Sequence, residues 1–138
     1  MKQETEAKIR DFFEQNDHFA AQNGILIEEI DEGYAKASLI ITKEHLNGAG
    51  VAHGGAIFLL ADFALALASN SYGTLALGVN NSISYLNAAQ ENEHIYAVAK
   101  EVEKNYKLAS YTVTINGKDD RVIAIMQGMV YRKDKQFI

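Results

Sequence analysis

Neither cysteine nor proline occurs anywhere in the 138 residues. Without cysteine the chain has no disulfide framework, no thiolate-ligated zinc and no Cys nucleophile. Without proline its turns must be built on Gly, Asn and Asp. Positive charge is scarce too. Lys and Arg number 13 against 18 Asp and Glu, a formal net charge of −5, and no segment is dominated by the basic residues that phosphate contacts need. A nucleic-acid partner is therefore not expected. The most apolar stretch, Ala56 to Ala68, is too short to cross a bilayer and holds a charge, so a membrane partner is not expected either. Residues 1 to 16 alternate charge and hydrophobe instead of forming a leader with an apolar core, and the expected location is the cytoplasm.

What is present is enough apolar surface for one well-cored domain: 48% of the residues are hydrophobic, and a single domain over residues 1–138 is expected. Residues 4 to 15 gather Ile9, Phe12 and Phe13 on one face of an amphipathic helix; Asp17 can cap a short second piece, His18 to Gln22, closed by Asn23-Gly24. Ile25 to Ile30 and Tyr34 to Ile41 read as strands around Asp31-Glu32-Gly33, a three-residue hairpin signal. Leu75 to Asn87 alternates, with Leu75, Leu77, Val79, Ile83 and Tyr85 on one face and Asn81 interrupting it. Strands at 93 to 104, 107 to 116 and 121 to 132 follow, the last two joined at an Asn116-Gly117 turn signal. The order predicts an α+β fold in which a mainly antiparallel sheet wraps one central buried helix.

That helix carries the strongest functional signal. Its residues are apolar on every side, which describes a helix buried all round, yet Asp62 lies inside it. An ionised carboxylate without a partner is costly to bury, so Asp62 must bind its proton more tightly or face a polar cleft. Either outcome suits a general base or a nucleophile.

His45-Leu46-Asn47, Gly50, His53-Gly54-Gly55 and Leu60-Ala61-Asp62, set between a β-hairpin and a four-strand run, resemble the PaaI-type thioesterases of the hotdog fold over roughly residues 17 to 132. The resemblance implies hydrolysis of acyl- or aryl-coenzyme A thioesters by an obligate homodimer whose two sheets join, with dimers pairing into tetramers. It implies no separate cofactor, because coenzyme A belongs to the substrate. Three positions depart from the family pattern: Asn87-Ala88 stands where an Arg-Pro pair is common, Asn105-Tyr106 replaces a turn glycine, and Gly78 occupies a place where some relatives carry a hydroxyl.

A helix N-terminus offers free N–H groups and a partial positive charge, and Gly54 and Gly55 have no side chains to keep a thioester carbonyl away. That end is the expected oxyanion hole. Asp62 lies eight residues beyond Gly54. At about 1.5 Å per residue the separation is roughly 12 Å, more than one carbonyl can bridge. If both serve one substrate, a twofold-related helix must supply the second group, so dimerisation becomes part of the chemistry. Asp62 then acts on water as a general base, or attacks to form a mixed anhydride.

Asn47 is a candidate for orienting water or carboxylate, or for capping its own loop, and His53 for ordering the loop or touching the thioester. Phe58, Phe63, Tyr85 and Asn81 are candidate substrate contacts, although aromatics at such spacing, Tyr72 included, are commonly core. His18, His45, His53 and His94 lack paired ligand spacing, so no metal is expected. Lys100, Lys104, Lys107, Arg121, Arg132 and Lys133 are candidates for coenzyme A phosphates. Two other functions compete: a hotdog dehydratase or hydratase, whose His-Phe-Pro-Gly pattern this chain lacks, and a catalytically silent acyl-CoA binder.

Overall fold

The computed structural model describes residues 1–138. Helix α1 (Gln3–Asn16) and the short α2 (His18–Gln22) precede a hairpin of β1 (Leu26–Asp31) and β2 (Tyr34–Ile40). A loop leads into the long helix α3 (Gly54–Ser69), followed by β3 (Thr74–Tyr85), β4 (His94–Lys104), β5 (Leu108–Asn116) and β6 (Val122–Gln136). The six strands form one antiparallel sheet in the order β1-β2-β4-β5-β6-β3. This is the hotdog arrangement, with α3 seated on the sheet, chiefly over β2, β4 and β5.

Small side chains make the seat. Ala35, Ala37, Ala97, Ala99 and Ala109 are fully or almost fully buried on the strands, and Leu60, Leu65 and Leu67 of α3 fill the space they leave. Helix α1 covers one margin of the core. Its Phe12 and Phe13 rings meet Phe137 at centroid distances of 4.6 and 6.4 Å, and Arg10 ties α1 to β1 through the carbonyls of Ile27 and Glu28. No helix is long and apolar enough to cross a membrane.

Four local expectations are corrected. First, α3 is not buried all round: Phe58 and Leu59, then Asp62 and Ala66 three or four positions further along each time, form a half-buried stripe that the chain's own sheet leaves open. Second, Asp31 pairs with Tyr34, so the first hairpin loop is the two residues Glu32 and Gly33, with the left-handed conformation (φ 67°) at the glycine. Third, no two-residue Asn-Gly turn joins β5 to β6. Gly117 is extended, the loop continues through a 3₁₀ turn at Lys118–Asp120, and Asp119 and Asp120 take the positive φ values. Gly117 serves space instead, since a Cβ there would collide with the Glu93 carboxylate.

The fourth correction bears on the site. Register shifts interrupt the β3–β6 pairing, one of them between Gly78 and Asn80. A bulge inserts one residue and exchanges the faces beyond it. Leu77 and Val79 are therefore turned to the exposed side, while Asn81 and Ile83 lie opposite the buried Gly128 and Met126 and face the helix. The single apolar face read from alternation does not exist.

Candidate active site

The loop before α3 is held at both ends. Leu46 bridges Ala52, the Ala52 N–H donates to the Ala89 carbonyl at 2.8 Å, and the His53 N–H donates to the His45 carbonyl at 2.7 Å. His45 is buried, and its Nδ1 accepts from the Thr42 N–H at 3.0 Å, a structural role. Asn47 Oδ1 accepts from the N–H groups of Ala49 (2.9 Å) and Val51 (3.3 Å). The carbonyl half of the Asn47 side chain thus shapes the loop, while its Nδ2 has no acceptor within the chain.

His53 is the N-cap of α3. Its Nδ1 accepts from the Gly55 N–H at 2.8 Å and its carbonyl accepts from the N–H groups of Ala56 and Ile57. Of the two glycine amides expected at a substrate, that of Gly55 is engaged by the cap, and the Gly54 N–H is the one without an acceptor in the chain. Beside it opens a pocket of about 350 Å³, lined by Asn47, Val51, Gly54, Ile57, Tyr85 and Leu86 among others. The Tyr85 ring lies over the helix start: a Cβ on residue 54 would lie 3.3 Å from Tyr85 Cζ, a tight contact that the ring would have to ease by a small shift.

Asp62 is not in this pocket. It sits two turns along α3 on the half-buried stripe, forms no ion pair, and accepts a hydrogen bond from Asn81 Nδ2 at 3.0 Å. Burial raises its pKa above the ordinary carboxylate range; the Asn81 bond opposes this and the negative charge of Asp17 adds to it. Asp17, the side-chain cap of α2, is a contributor that sequence reading missed, because only the fold brings residue 17 near residue 62.

The other candidates separate. Phe63 is buried against Phe13, ring centroids 6.1 Å apart, and lines a different cavity of about 420 Å³ with Asp17, Ala20 and Ile25. Phe58 is on the half-buried stripe. Asn81 contacts the acid. Among the cations, Arg121 donates from Nη2 to the carbonyl of Ala88, a residue lining the Gly54 pocket, at 2.8 Å and lies 3.7 Å from Glu93. Lys107, Arg132 and Lys133 gather with Tyr106 around a separate cavity, Lys104 lies 3.6 Å from the Tyr72 ring centroid, and Lys100 is exposed on β4.

Comparison with known proteins agrees with this architecture. Residues 49–124 match the thioesterase superfamily model. The chain is 45% identical over 130 residues to an Archaeoglobus fulgidus protein provisionally named an esterase, covering 94% of this chain and 84% of that one. It is 31% identical over 118 residues to the acyl-coenzyme A thioesterase PaaI of Escherichia coli K12, covering 86% and 84%. The solved structure of E. coli PaaI, described as from the phenylacetic acid degradation operon, superposes with a TM-score of 0.93 at 28% identity over 96% of each chain. Match, identity and superposition together place this chain in the thioesterase superfamily, as a PaaI-type thioesterase with the hotdog fold.

Proposed function

We propose that the protein hydrolyses acyl- or aryl-coenzyme A thioesters to the free acid and coenzyme A, at sites that each need two copies of the chain. The observation that carries this reading is a division of labour within one helix. The unengaged Gly54 amide, in a residue that lines a pocket, is at its start, and a half-buried acid without an ion-pair partner is two turns on. One donor of this kind supports about 2.7–4 kcal/mol of transition-state stabilisation in hydrolases. Gly54 N–H, with Asn47 Nδ2 beside it, polarises the thioester carbonyl, and His53 holds the turn. Asp62 of the partner subunit takes a proton from water as the water attacks the carbonyl carbon; the tetrahedral intermediate then expels the coenzyme A thiolate.

Strand β3 supports the dimer. It is an edge strand of 12 residues with no Asp, Glu, Lys or Arg, and it exposes Leu77 and Val79. Long, uncharged, apolar edges invite pairing with another strand. Pairing about a twofold would lay two α3 helices antiparallel, acid beside amide, and would leave outer sheet faces through which dimers can pair. Coenzyme A enters as part of the substrate, its phosphates toward Arg121, and no separate cofactor is invoked.

The test is thiol release from a panel of acyl- and aryl-CoAs. Wild type should turn over and Asp62→Asn should lose about 10²- to 10⁴-fold in kcat while still binding substrate. Mixing Asp62→Ala chains with Gly54→Val chains should restore activity through heterodimers. No restoration in demonstrated heterodimers would overturn the shared site, and binding without turnover by wild type would make the protein a binder.

A further inference from the structure

Beneath Asp62 the sheet is shaped around one side chain. Asn81 reaches inward from β3 because the register shift after Gly78 turns it there, and its Nδ2 donates to Asp62 Oδ1. Its own Oδ1 is buried and accepts no hydrogen bond. A buried acceptor left without a donor is unfavourable and uncommon, and it needs a reason. The opposite strand has been cleared for it. Asn81 pairs with Gly128, and a Cβ at 128 would lie 2.6 Å from Asn81 Oδ1 and 2.7 Å from Leu65 Cδ2, so any larger residue there would displace the amide.

The amide can meet the acid in one of two ways. Nδ2 toward Asp62 suits the ionised carboxylate, which only accepts; Oδ1 toward Asp62 suits the protonated acid, which has an O–H to donate. The observed orientation is the first, and it leaves the orphan acceptor on the side where Gly128 makes room. The surroundings otherwise work against charge at residue 62. Asp17 at the α1–α2 corner adds like charge, β3 carries no charged residue, and β6 presents Gly128.

We propose that Asn81 is a positioning residue: it holds Asp62 ionised and aimed, ready to accept the proton of water, and Gly128 is the space that lets it do so. This rests on the reading of Asp62 as the base. It assigns Asn81 to the acid and not to the acyl group.

The experiment compares wild type, Asn81→Ala and Gly128→Ala, the second of which displaces the amide without removing it. Two readouts are taken: the pH profiles of kcat and KM for acyl-CoA hydrolysis, and a direct carboxyl titration of Asp62 by ¹³C NMR in unliganded protein. Both variants should shift the acidic limb of kcat upward and leave KM within about threefold of wild type. The ratio of variant to wild-type kcat should be about tenfold lower on the acidic side of the wild-type limb than on its alkaline plateau, the size expected for losing one hydrogen bond to a charged group. The NMR titration should move in the same direction. A uniform loss of kcat at every pH with an unmoved titration, or a KM effect with kcat and the limb unchanged, would overturn the proposal. Asp62→Asn separates the two levels. If it retains hydrolysis, the base reading fails, while the NMR titration still decides whether Asn81 governs the charge of Asp62. If it is inactive and the Asp62 titration in Asn81→Ala matches wild type, only the present inference fails.

Discussion

The hydroxyl of Tyr85, on the edge strand, donates to the carbonyl of Gly54, at the first position of the buried helix, across 3.1 Å. One bond therefore ties the strand available for pairing to the turn that carries the unengaged amide. Tyr85→Phe keeps the ring over Gly54 and removes the tie; an exposed bond of this kind contributes about 0.5–1.5 kcal/mol. The expected result is a fall in kcat/KM of less than about tenfold, whereas Tyr85→Ala, which also opens the pocket wall, should raise KM further. Steady-state kinetics on both variants check this; equal effects would mean that the hydroxyl alone matters and the ring wall does not.

Burial of Asp62 has a consequence for stability that does not depend on activity. Its pKa in the folded chain is raised, so the native state holds the proton more tightly than the unfolded chain does. Stability from this group is complete below the ordinary carboxylate range and is lost as the pH rises through the folded value. Above that value the folded protein carries a partly buried charge. Asp62→Asn removes it, so the variant should melt a few degrees higher than wild type near neutral pH, and the gap should close as the pH falls toward about 3. Thermal melts across that range test the sign; a variant less stable than wild type at neutral pH would show that the carboxylate is compensated by contacts other than Asn81.

The origin of Asp62's environment also shows what was legible before the fold was known. Helix and strand periods placed every major element close to its final bounds, because nearly all of them follow a single burial pattern from end to end. Asp62 stood out as a charge among apolar residues, and Gly54 and Asn47 by their spacing. Two things were hidden. The shift in β3 changes which face Asn81 occupies, and alternation cannot register an inserted residue. The capture of the Gly55 amide by His53 depends on one side-chain rotamer, which no residue pattern encodes. At Asn116-Gly117 the turn signal failed because glycine was needed there for room beside Glu93, and two aspartates adopted the left-handed backbone instead.

Arg121 reaches the segment that follows β3, where this chain has Asn87-Ala88. Its guanidinium, partly exposed, reaches from the β5–β6 loop to the carbonyl of Ala88, which lines the Gly54 pocket. If it meets a coenzyme A phosphate, Arg121→Ala should raise KM about three- to tenfold with kcat held, and added salt should narrow the gap between variant and wild type. Inhibition by free coenzyme A should weaken in parallel. Unchanged KM and inhibition, with only a drop in melting temperature, would confine Arg121 to holding the Ala88 carbonyl.

The edge strand gives the most demanding test, because it separates a site made by one chain from a site made by two. Val79 is 57% exposed on β3 and Leu77 is 51% exposed, with no charge on the strand to deter pairing. Val79→Lys adds a cation at an already exposed position, so the monomer fold has little reason to change, and a lysine on an edge is a known deterrent to strand addition. At a twofold junction the cation would also face its own copy. The expected outcome is an intact far-UV spectrum, a mass in light scattering that falls toward 15.2 kDa, and a loss of kcat/KM of about 10² or more. If each site uses Asp62 of the partner subunit, the loss should be concentration-dependent, recovering as protein is added. A monomer by mass that retains full activity at every concentration would show that Gly54 and Asp62 of one chain suffice, against the roughly 12 Å that the helix rise puts between them.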